Sequence, residues 1–263
     1  MGQSGLPPIS LKERLKRMRL LRIVSPIVFL IVWELVVRTG KINQLFLPSP
    51  VGVIQSTVDM VMDGSLIRAV FASLKRVTQG FVYGSAIGIL IGLLVGWSRT
   101  IEDLVDPIVS AVYPIPKSAL FPLFLLWFGL GDASKVVTIM VGVLFLVLIS
   151  TVTGVKTINP ILLKAAKDFG ASTFQTFTKV IVPGALPNIF TGLRLGAGTA
   201  LILVFITEIE ATREGLGYLL WESYQLMQVK QVFAGIVVFG LLGIFSSALL
   251  KWIEKVVCPW SQY

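Results

Sequence analysis

The sequence predicts an all-α membrane protein with about six transmembrane helices. Hydrophobic residues make up 55% of the 263-residue chain and charged residues only 14%, whereas soluble domains typically carry about 25% charged residues. The mean hydropathy is +0.85, and several apolar runs approach the roughly 20 residues that a helix needs to cross a bilayer. The lipid bilayer is therefore the expected environment of most of the chain.

The apolar runs mark six candidate spans. We place them at about 20–37, 72–97, 108–126, 136–155, 188–209 and 232–253. The first span is the weakest, because it contains Arg22, Pro26 and Glu34. Residues 1–19 then form a basic cytoplasmic tail, and residues 20–263 form the transmembrane domain.

The distribution of charge orients the spans. If the N-terminus is cytoplasmic, the inside segments hold more Lys and Arg than the outside segments, as the positive-inside rule requires. Trp97 and Trp252 then lie near the inner interface, and Trp127 and Trp221 near the outer one. We therefore expect an N-in/C-in topology. The net charge of +9 is spread over the connecting segments, which favours membrane orientation over a nucleic-acid partner.

A ladder of glycines marks one face of the second span. A spacing of four residues places them on one side of a helix, and small residues at this spacing let another helix backbone approach closely. We expect this face to pack against a second helix. The ladder consists of Gly80, Gly84, Gly88, Gly92 and Gly96.

The segment 156–186 is polar although it lies between two apolar spans. Asn159 is a good N-cap and Pro160 suits the first helical position. Gly170 can take the left-handed conformation that ends a helix. A short helix is therefore expected between these residues, on the cytoplasmic side of the membrane.

A second short helix is expected to follow the first. Ser172 or Thr173 can cap its start. Pro183 is expected to interrupt it, because proline has no N–H to donate and its ring clashes with the preceding turn. The polar segment is thus predicted to be a pair of short helices.

One face of the first short helix is apolar but shallow, and its residues are Leu162, Ala165, Ala166 and Phe169. One interpretation is an amphipathic connector that lies on the lipid surface. The other is a docking helix for a cytosolic partner, since alanines leave room for a bulky group. Amphipathicity alone does not distinguish them.

The same segment resembles the EAA loop of ABC importer permeases. That pattern is Glu-Ala-Ala, three residues, Gly, nine residues, then Ile-x-Leu-Pro. Here Ala165-Ala166, Gly170 and 180–183 keep the spacing, and Lys164 stands where the family usually has Glu.

Other stretches look like the nitrate/sulfonate/taurine-type permeases, a branch that includes bicarbonate and pyrimidine-precursor relatives. They are LPSP at 47–50, ASLKRVTQGF at 72–81, FPLFLLWFGLGDASK at 121–135, PGALPNIFTGLRLG at 183–196 and TREGLGYLL at 212–220.

The resemblance implies a type I ABC importer permease fold in a bacterial inner membrane. Such a permease forms a homodimer with one translocation path, binds two cytosolic ATPase subunits and receives substrate from an extracytoplasmic binding protein. It implies a small anion (nitrate, sulfonate, taurine or bicarbonate) or a related small nutrient as substrate. The residues expected to couple to the ATPase are Lys164, Ala165, Ala166, Asp168, Phe169, Gly170 and Pro183.

ATP and Mg are expected in the ATPase partner, with no cofactor on this chain. The sequence has no G-x-x-x-x-G-K-[ST] phosphate loop despite its 24 glycines. If transport is driven by ATP, the nucleotide must therefore bind another subunit.

Charged residues within the spans are candidates for the translocation path, because a charge is costly in lipid. The candidates are Lys117, Arg76 and Glu208. Lys117 lies in the proline-rich stretch YPIPKSALFP, and it could instead pair with a carboxylate or snorkel to the interface. Arg76 could be an interfacial charge. Glu208 could pair with Arg213, lie in solvent at the outer surface or contact the binding protein.

No catalytic or metal-ligating constellation is expected. The chain has no His and a single Cys, Cys258, and no G-x-S-x-G elbow accompanies its serines. A self-sufficient channel or secondary carrier is the main alternative, although carriers often show internal repeats and none is evident. A membrane-embedded enzyme is disfavoured by the missing catalytic groups.

Overall fold

The computed structural model describes residues 11–260, with side chains from residue 24 to residue 260. The side chains of the predicted basic tail, 1–19, lie outside the described residues. The helices, in chain order, are α1 (Leu11–Arg38), α2 (Pro50–Met62), α3 (Ser65–Trp97), α4 (Arg99–Val112), α5 (Phe121–Phe128), α6 (Asp132–Lys156), α7 (Pro160–Asp168), α8 (Thr173–Thr176), α9 (Val182–Ala211), α10 (Leu216–Gln225) and α11 (Val229–Val257). A 3₁₀ turn, Lys117–Leu120, precedes α5, and a π-helical turn, Phe177–Ile181, joins α8 to α9.

The all-α membrane fold is confirmed. Within the described residues, four helices are long and apolar enough to cross a membrane: α3, α6, the continuous helix Thr173–Ala211 and α11. The pair formed by α4 and residues Lys117–Phe128 makes a fifth span if it is counted as one bent unit. α1 covers the first predicted span, although only its last part has described side chains.

The third predicted span, 108–126, is not one continuous helix, so this boundary prediction was wrong. α4 ends at Val112, and the following helical segment is bent from it by 88°. Pro114 and Pro116 explain the break, because a proline lacks an N–H and disfavours the helical conformation of the residue before it.

The core consists of α3, α6 and α9. Ile139, Val143 and Val147 of α6 are fully buried against α9. The glycine ladder of α3 packs against these same residues and lies in direct contact with the α6 backbone. A Cβ added at Gly84 would lie 2.4 Å from the Met140 carbonyl oxygen, and one at Gly88 would lie 2.7 Å from that of Leu144. Only glycine permits such a close approach of the two helices, because a Cβ at these positions would clash with the α6 backbone.

The two predicted short helices are present as α7 and α8. The Ile161 N–H donates to Asn159 Oδ1 at 2.9 Å, and Gly170 ends the first helix with φ +73°. Ser172 and Gln175 form a reciprocal capping box at the start of α8. Such caps satisfy the donors that a helix start leaves unpaired.

The predicted interruption at Pro183 does not occur. The helix continues from Thr173 to Ala211, and the irregularity lies just upstream, where the Val182 N–H donates to the Phe177 carbonyl oxygen. This hydrogen bond defines a π turn, which accommodates one additional residue. The widened turn re-arranges the carbonyl groups that would otherwise meet the proline, so the chain stays helical.

Candidate functional site

The polar segment 156–186, which we call the coupling loop after its expected role, presents large apolar side chains to its surroundings. Ile161 is 72% exposed, Phe169 is 90% exposed and Phe174 is 75% exposed. α7 is held from beneath by Leu163, which packs against a buried cluster that includes Ile181. The loop is therefore anchored on one side and carries unpartnered apolar groups on the other.

The remaining predicted coupling residues differ in exposure. Lys164 and Asp168 are exposed, whereas Ala165 and Ala166 are partly buried. Pro183 lines a groove of about 350 Å³ between α7 and the start of α9. Ala166, near the start of the EAA pattern, and Pro183, at its end, thus line the same groove although α8 lies between them in the chain.

Arg76 and Glu208 form a buried ion pair at the predicted outer ends of their helices. Arg76 Nη1 donates to Glu208 Oε1 at 2.6 Å, and Arg76 Nε donates to Asp132 Oδ1 at 2.7 Å. Glu208 is fully buried and Arg76 is 5% exposed. The guanidinium therefore links α3 to both α6 and α9, and we call the group Ser73, Arg76, Asp132 and Glu208 the outer charge cluster.

The outer charge cluster also holds the start of α10. The Gly217 N–H donates to Glu208 Oε2 at 2.8 Å, and the Leu216 N–H donates to Ser73 Oγ at 2.8 Å. Ser73 in turn donates to the Glu208 carboxylate at 2.7 Å. A carboxylate at a helix N-terminus is favourable because the helix dipole is positive there. The buried carboxylate is thus saturated by protein donors.

Gly215 makes this arrangement possible. Its φ is +116°, a left-handed conformation, and a Cβ at this position would lie 2.3 Å from the Glu208 carboxyl group. Sequence reasoning missed Gly215 and Ser73. Both lie in stretches that carry the family resemblance, TREGLGYLL and ASLKRVTQGF, and the structure brings these two stretches into contact.

The predicted alternatives for Arg76 and Glu208 need correction. Arg76 is buried and is not an interfacial charge, and Glu208 pairs with Arg76 and not with Arg213. Neither side chain lies free to meet a substrate in this chain. Both are positioned to hold helices together at the predicted outer side.

Lys117 caps the end of α4. Its ammonium group donates to the carbonyl oxygens of Val112, Tyr113 and Ile115, at 2.7, 2.9 and 2.8 Å, and it lies 4.7 Å from the centroid of the Phe145 ring. All three donors of the ammonium group are used. Neither a carboxylate partner nor snorkelling accounts for Lys117. Its position explains how the bent segment satisfies carbonyl groups that lose their helical partners.

A second lysine, Lys135, is buried where the sequence indicated an outer connecting segment. It is 1% exposed, and its ammonium group donates to the carbonyl oxygens of Leu130 and Gly131 at 3.0 and 2.9 Å. The lysine fixes the turn that leads into α6. The hydropathy pattern alone does not distinguish this buried lysine from an exposed one.

Two further ion pairs lie at the predicted cytoplasmic ends of the helices. Arg194 of α9 pairs with Glu254 of α11, which is fully buried. Lys156 at the end of α6 pairs with Glu102 of α4. Among residues 24–260, no group of three or more His, Cys, Asp or Glu lies together that could hold a metal ion.

Comparison with known proteins identifies the family. Residues 84–257 match the family described as "Binding-protein-dependent transport system inner membrane component". The chain is 31% identical to the putative aliphatic sulfonates transport permease protein SsuC of Bacillus subtilis (strain 168), over 90% of this chain and 86% of that protein. It is 33% identical to the taurine transport system permease protein TauC of Escherichia coli (strain K12), over 94% of this chain and 91% of that protein.

A solved structure shares the fold. The structure described as inward facing conformations of the MetNI methionine ABC transporter gives a TM-score of 0.65 at 20% identity, covering 73% of this chain and 95% of that chain. The family match covers most of the membrane-spanning helices described above. The chain therefore belongs to the binding-protein-dependent transport system inner membrane components, and it is an ABC transporter permease.

Proposed function

We propose that this permease works as a homodimer in the cytoplasmic membrane, driven by two ATPase subunits that dock on the α7–α8 loop. The observation that carries the proposal is the exposure of Ile161, Phe169 and Phe174 on a loop that also carries exposed charges and whose helices are firmly capped. Apolar side chains exposed in a group indicate an interaction surface. A water-soluble partner of this loop is expected, because the predicted topology places it in the cytoplasm.

The loop is well connected for transmitting force. α7 follows α6 after a short turn, and α8 continues through the π turn into α9. At the cytoplasmic end of α9, the Arg194–Glu254 pair attaches α11. Movement of the docked ATPase would therefore displace these spans together, and such a displacement can bias a two-state transporter.

The substrate is proposed to be a small sulfonate or a similar organic anion. This assignment rests on the names of the relatives SsuC and TauC. The structure offers no additional support from Arg76 or Lys117 for an anionic substrate, because both side chains are hydrogen-bonded to other groups of this chain. An extracytoplasmic binding protein would select the substrate and deliver it to a path between the two copies.

Replacement of Phe169 by Ala tests the docking surface. Truncating a central aromatic anchor typically costs about 2 kcal/mol or more, so the affinity for the ATPase should fall about 30-fold. The measurement is binding of the cognate ATPase to the permease in nanodiscs, together with substrate-stimulated ATP hydrolysis in the complete transporter. Phe245→Ala is the matched control, since Phe245 is 65% exposed but lies within the candidate membrane span α11 and not on the α7–α8 loop.

Wild-type binding and hydrolysis in the Phe169→Ala transporter would contradict the docking assignment. Substrate uptake by this chain alone, in liposomes without any ATPase, would replace it with a self-sufficient channel or carrier.

A further inference from the structure

The groove beside α7 has a second wall that the EAA pattern does not include. One wall is formed by Leu162 and Ala166 of α7, and the floor by Lys179, Val180, Pro183 and Gly184. The second wall is Trp260, which follows the end of α11 and is 54% exposed. Residues from three distant parts of the chain therefore meet at one apolar depression on the coupling surface.

Trp260 is held in this position by the end of α11. The Cys258 N–H donates to the Glu254 carbonyl oxygen at 2.7 Å, and the Cys258 side chain is 1% exposed. Glu254 is itself paired with Arg194 of α9. Trp260 is thus attached to the helix that continues from the coupling loop.

The groove has the properties of a receptor for one large apolar side chain. It is an open depression of about 350 Å³, and Ala166 contributes only a methyl group to its wall. Leu162, on the same wall, is 54% exposed. Aromatic residues at the edge of such a pocket are typical anchors of protein interfaces.

The charges around the groove favour an acidic partner. Lys179 lines it, and Lys164 and Lys167 lie on the adjacent turn of α7. Among the described residues, none of these three lysines takes part in an ion pair. Complementary charge at the edge of an interface speeds association and selects the partner.

We propose that Trp260 is part of the ATPase docking surface, where it and α7 clamp an apolar side chain of the ATPase that is flanked by acidic residues. The inference rests on the proposed function, because it assigns the groove to the same partner as the exposed face of α7. It extends that surface to the C-terminal segment. ATPase docking would then contact α11 directly, in addition to the loop between α6 and α9.

The test compares variants that open or fill the groove. Trp260→Ala removes one wall, Trp260→Phe retains an aromatic wall, and Ala166→Leu fills the space without removing any packed side chain. Affinity for the cognate ATPase is measured with the full-length permease in nanodiscs, and thermal unfolding is recorded for each variant. Trp252→Ala is the control, since Trp252 is also exposed, at 63%, but lies on α11 away from the groove.

Trp260→Ala and Ala166→Leu should each weaken ATPase binding about tenfold or more, and Trp260→Phe should recover most of the loss. Lys179→Glu should weaken binding further at low salt than at high salt, because screening removes the charge effect. Ala166→Leu decides the matter if Trp260→Ala fails to fold.

Three results would overturn the inference in different ways. If Phe169→Ala weakens ATPase binding while Trp260→Ala and Ala166→Leu bind like wild type, the groove is not part of the interface and the proposed function stands. If none of these variants changes ATPase binding, both the inference and the docking function fail. A Trp260→Ala variant that changes only thermal stability in lipid would assign the groove to lipid and would also overturn it.

Discussion

At the residue scale, the buried charges of this permease act as structural links. Glu208 accepts hydrogen bonds from Arg76, Ser73 and the backbone of Gly217, so no part of its carboxylate is left without a donor. A buried ion pair of this kind contributes little compared with well-packed apolar residues, but loss of one partner leaves an uncompensated charge. The outer charge cluster should therefore be sensitive to single substitutions.

Glu208→Gln tests this sensitivity. The amide keeps the shape of the side chain but leaves the Arg76 guanidinium without its buried counter-charge, so the free energy of unfolding should fall by about 3 kcal/mol. Denaturant or thermal unfolding of the permease in detergent measures the loss. Glu222→Gln provides the control, because Glu222 is exposed on α10.

A loss for Glu208→Gln no greater than that for Glu222→Gln would show that the outer charge cluster is not a link between helices. It would reopen a role for Glu208 in the translocation path.

The sequence identifies which charges are unusual but not what they touch. Arg76 and Glu208 stand out because a charge within a span is costly, yet they are separated by 132 positions in the chain. Lys117 stands out in the same way, although its partners are backbone carbonyl groups, which carry no sequence signature. Their partners depend on how the helices are placed, and hydropathy does not contain that information.

At the element scale, the contact between α3 and α6 depends on the absence of side chains. The glycine ladder brings the α3 backbone against the carbonyl groups of Met140 and Leu144. Close packing of this type stabilises helix pairs in lipid, where the hydrophobic effect between helices is lost.

Gly88→Ala should separate these helices, because its Cβ would lie 2.7 Å from the Leu144 carbonyl oxygen. The expected destabilisation is about 1–3 kcal/mol, the usual cost of overpacking, measured by thermal unfolding in detergent. Gly240→Ala is the matched control on α11, where nothing lies within 4 Å of the added Cβ. This control should be neutral or slightly stabilising, since alanine is favoured over glycine in helices. Equal effects of the two substitutions would contradict close packing of the ladder.

Elements governed by local chemistry are predicted well from the sequence. The caps at Asn159, Gly170 and Ser172 define α7 and α8, because each cap satisfies its own backbone neighbours. The third span and the effect of Pro183 are predicted poorly. In both cases a proline allows more than one local solution, and tertiary packing chooses between a sharp bend and a π turn.

At the scale of the whole molecule, three sets of contacts hold the spans as a unit. The outer charge cluster joins α3, α6, α9 and α10 at one end, the glycine ladder joins α3 to α6 along their length, and Arg194–Glu254 joins α9 to α11 at the other end. The outward faces of α1, α5 and α11 are rich in exposed apolar residues. These faces are suited to lipid or to a second copy of the chain.

The predicted N-in/C-in topology can be tested with single cysteines. The only native thiol, Cys258, is 1% exposed, and burial, together with nearby Glu254, raises its pKa, so it should react little with a maleimide and can stay in place as the background. Ser172→Cys should react with a membrane-impermeant maleimide only in inside-out vesicles, and Glu222→Cys only in right-side-out vesicles. The reverse pattern would invert the topology and place the coupling loop outside the cell.

The π turn at Phe177–Ile181 also changes how the long helix should be interpreted. In a regular α-helix, Phe174 would share the face of Ile181, because seven residues make almost two full turns. Ile181 is 1% exposed, whereas Phe174 is 75% exposed. One additional residue in the turn shifts the phase of everything before it by about 100°. The one additional residue thus gives the continuous helix Thr173–Ala211 two different faces. Ile181 packs against the other helices, whereas Phe174 points outward, where another molecule can contact it.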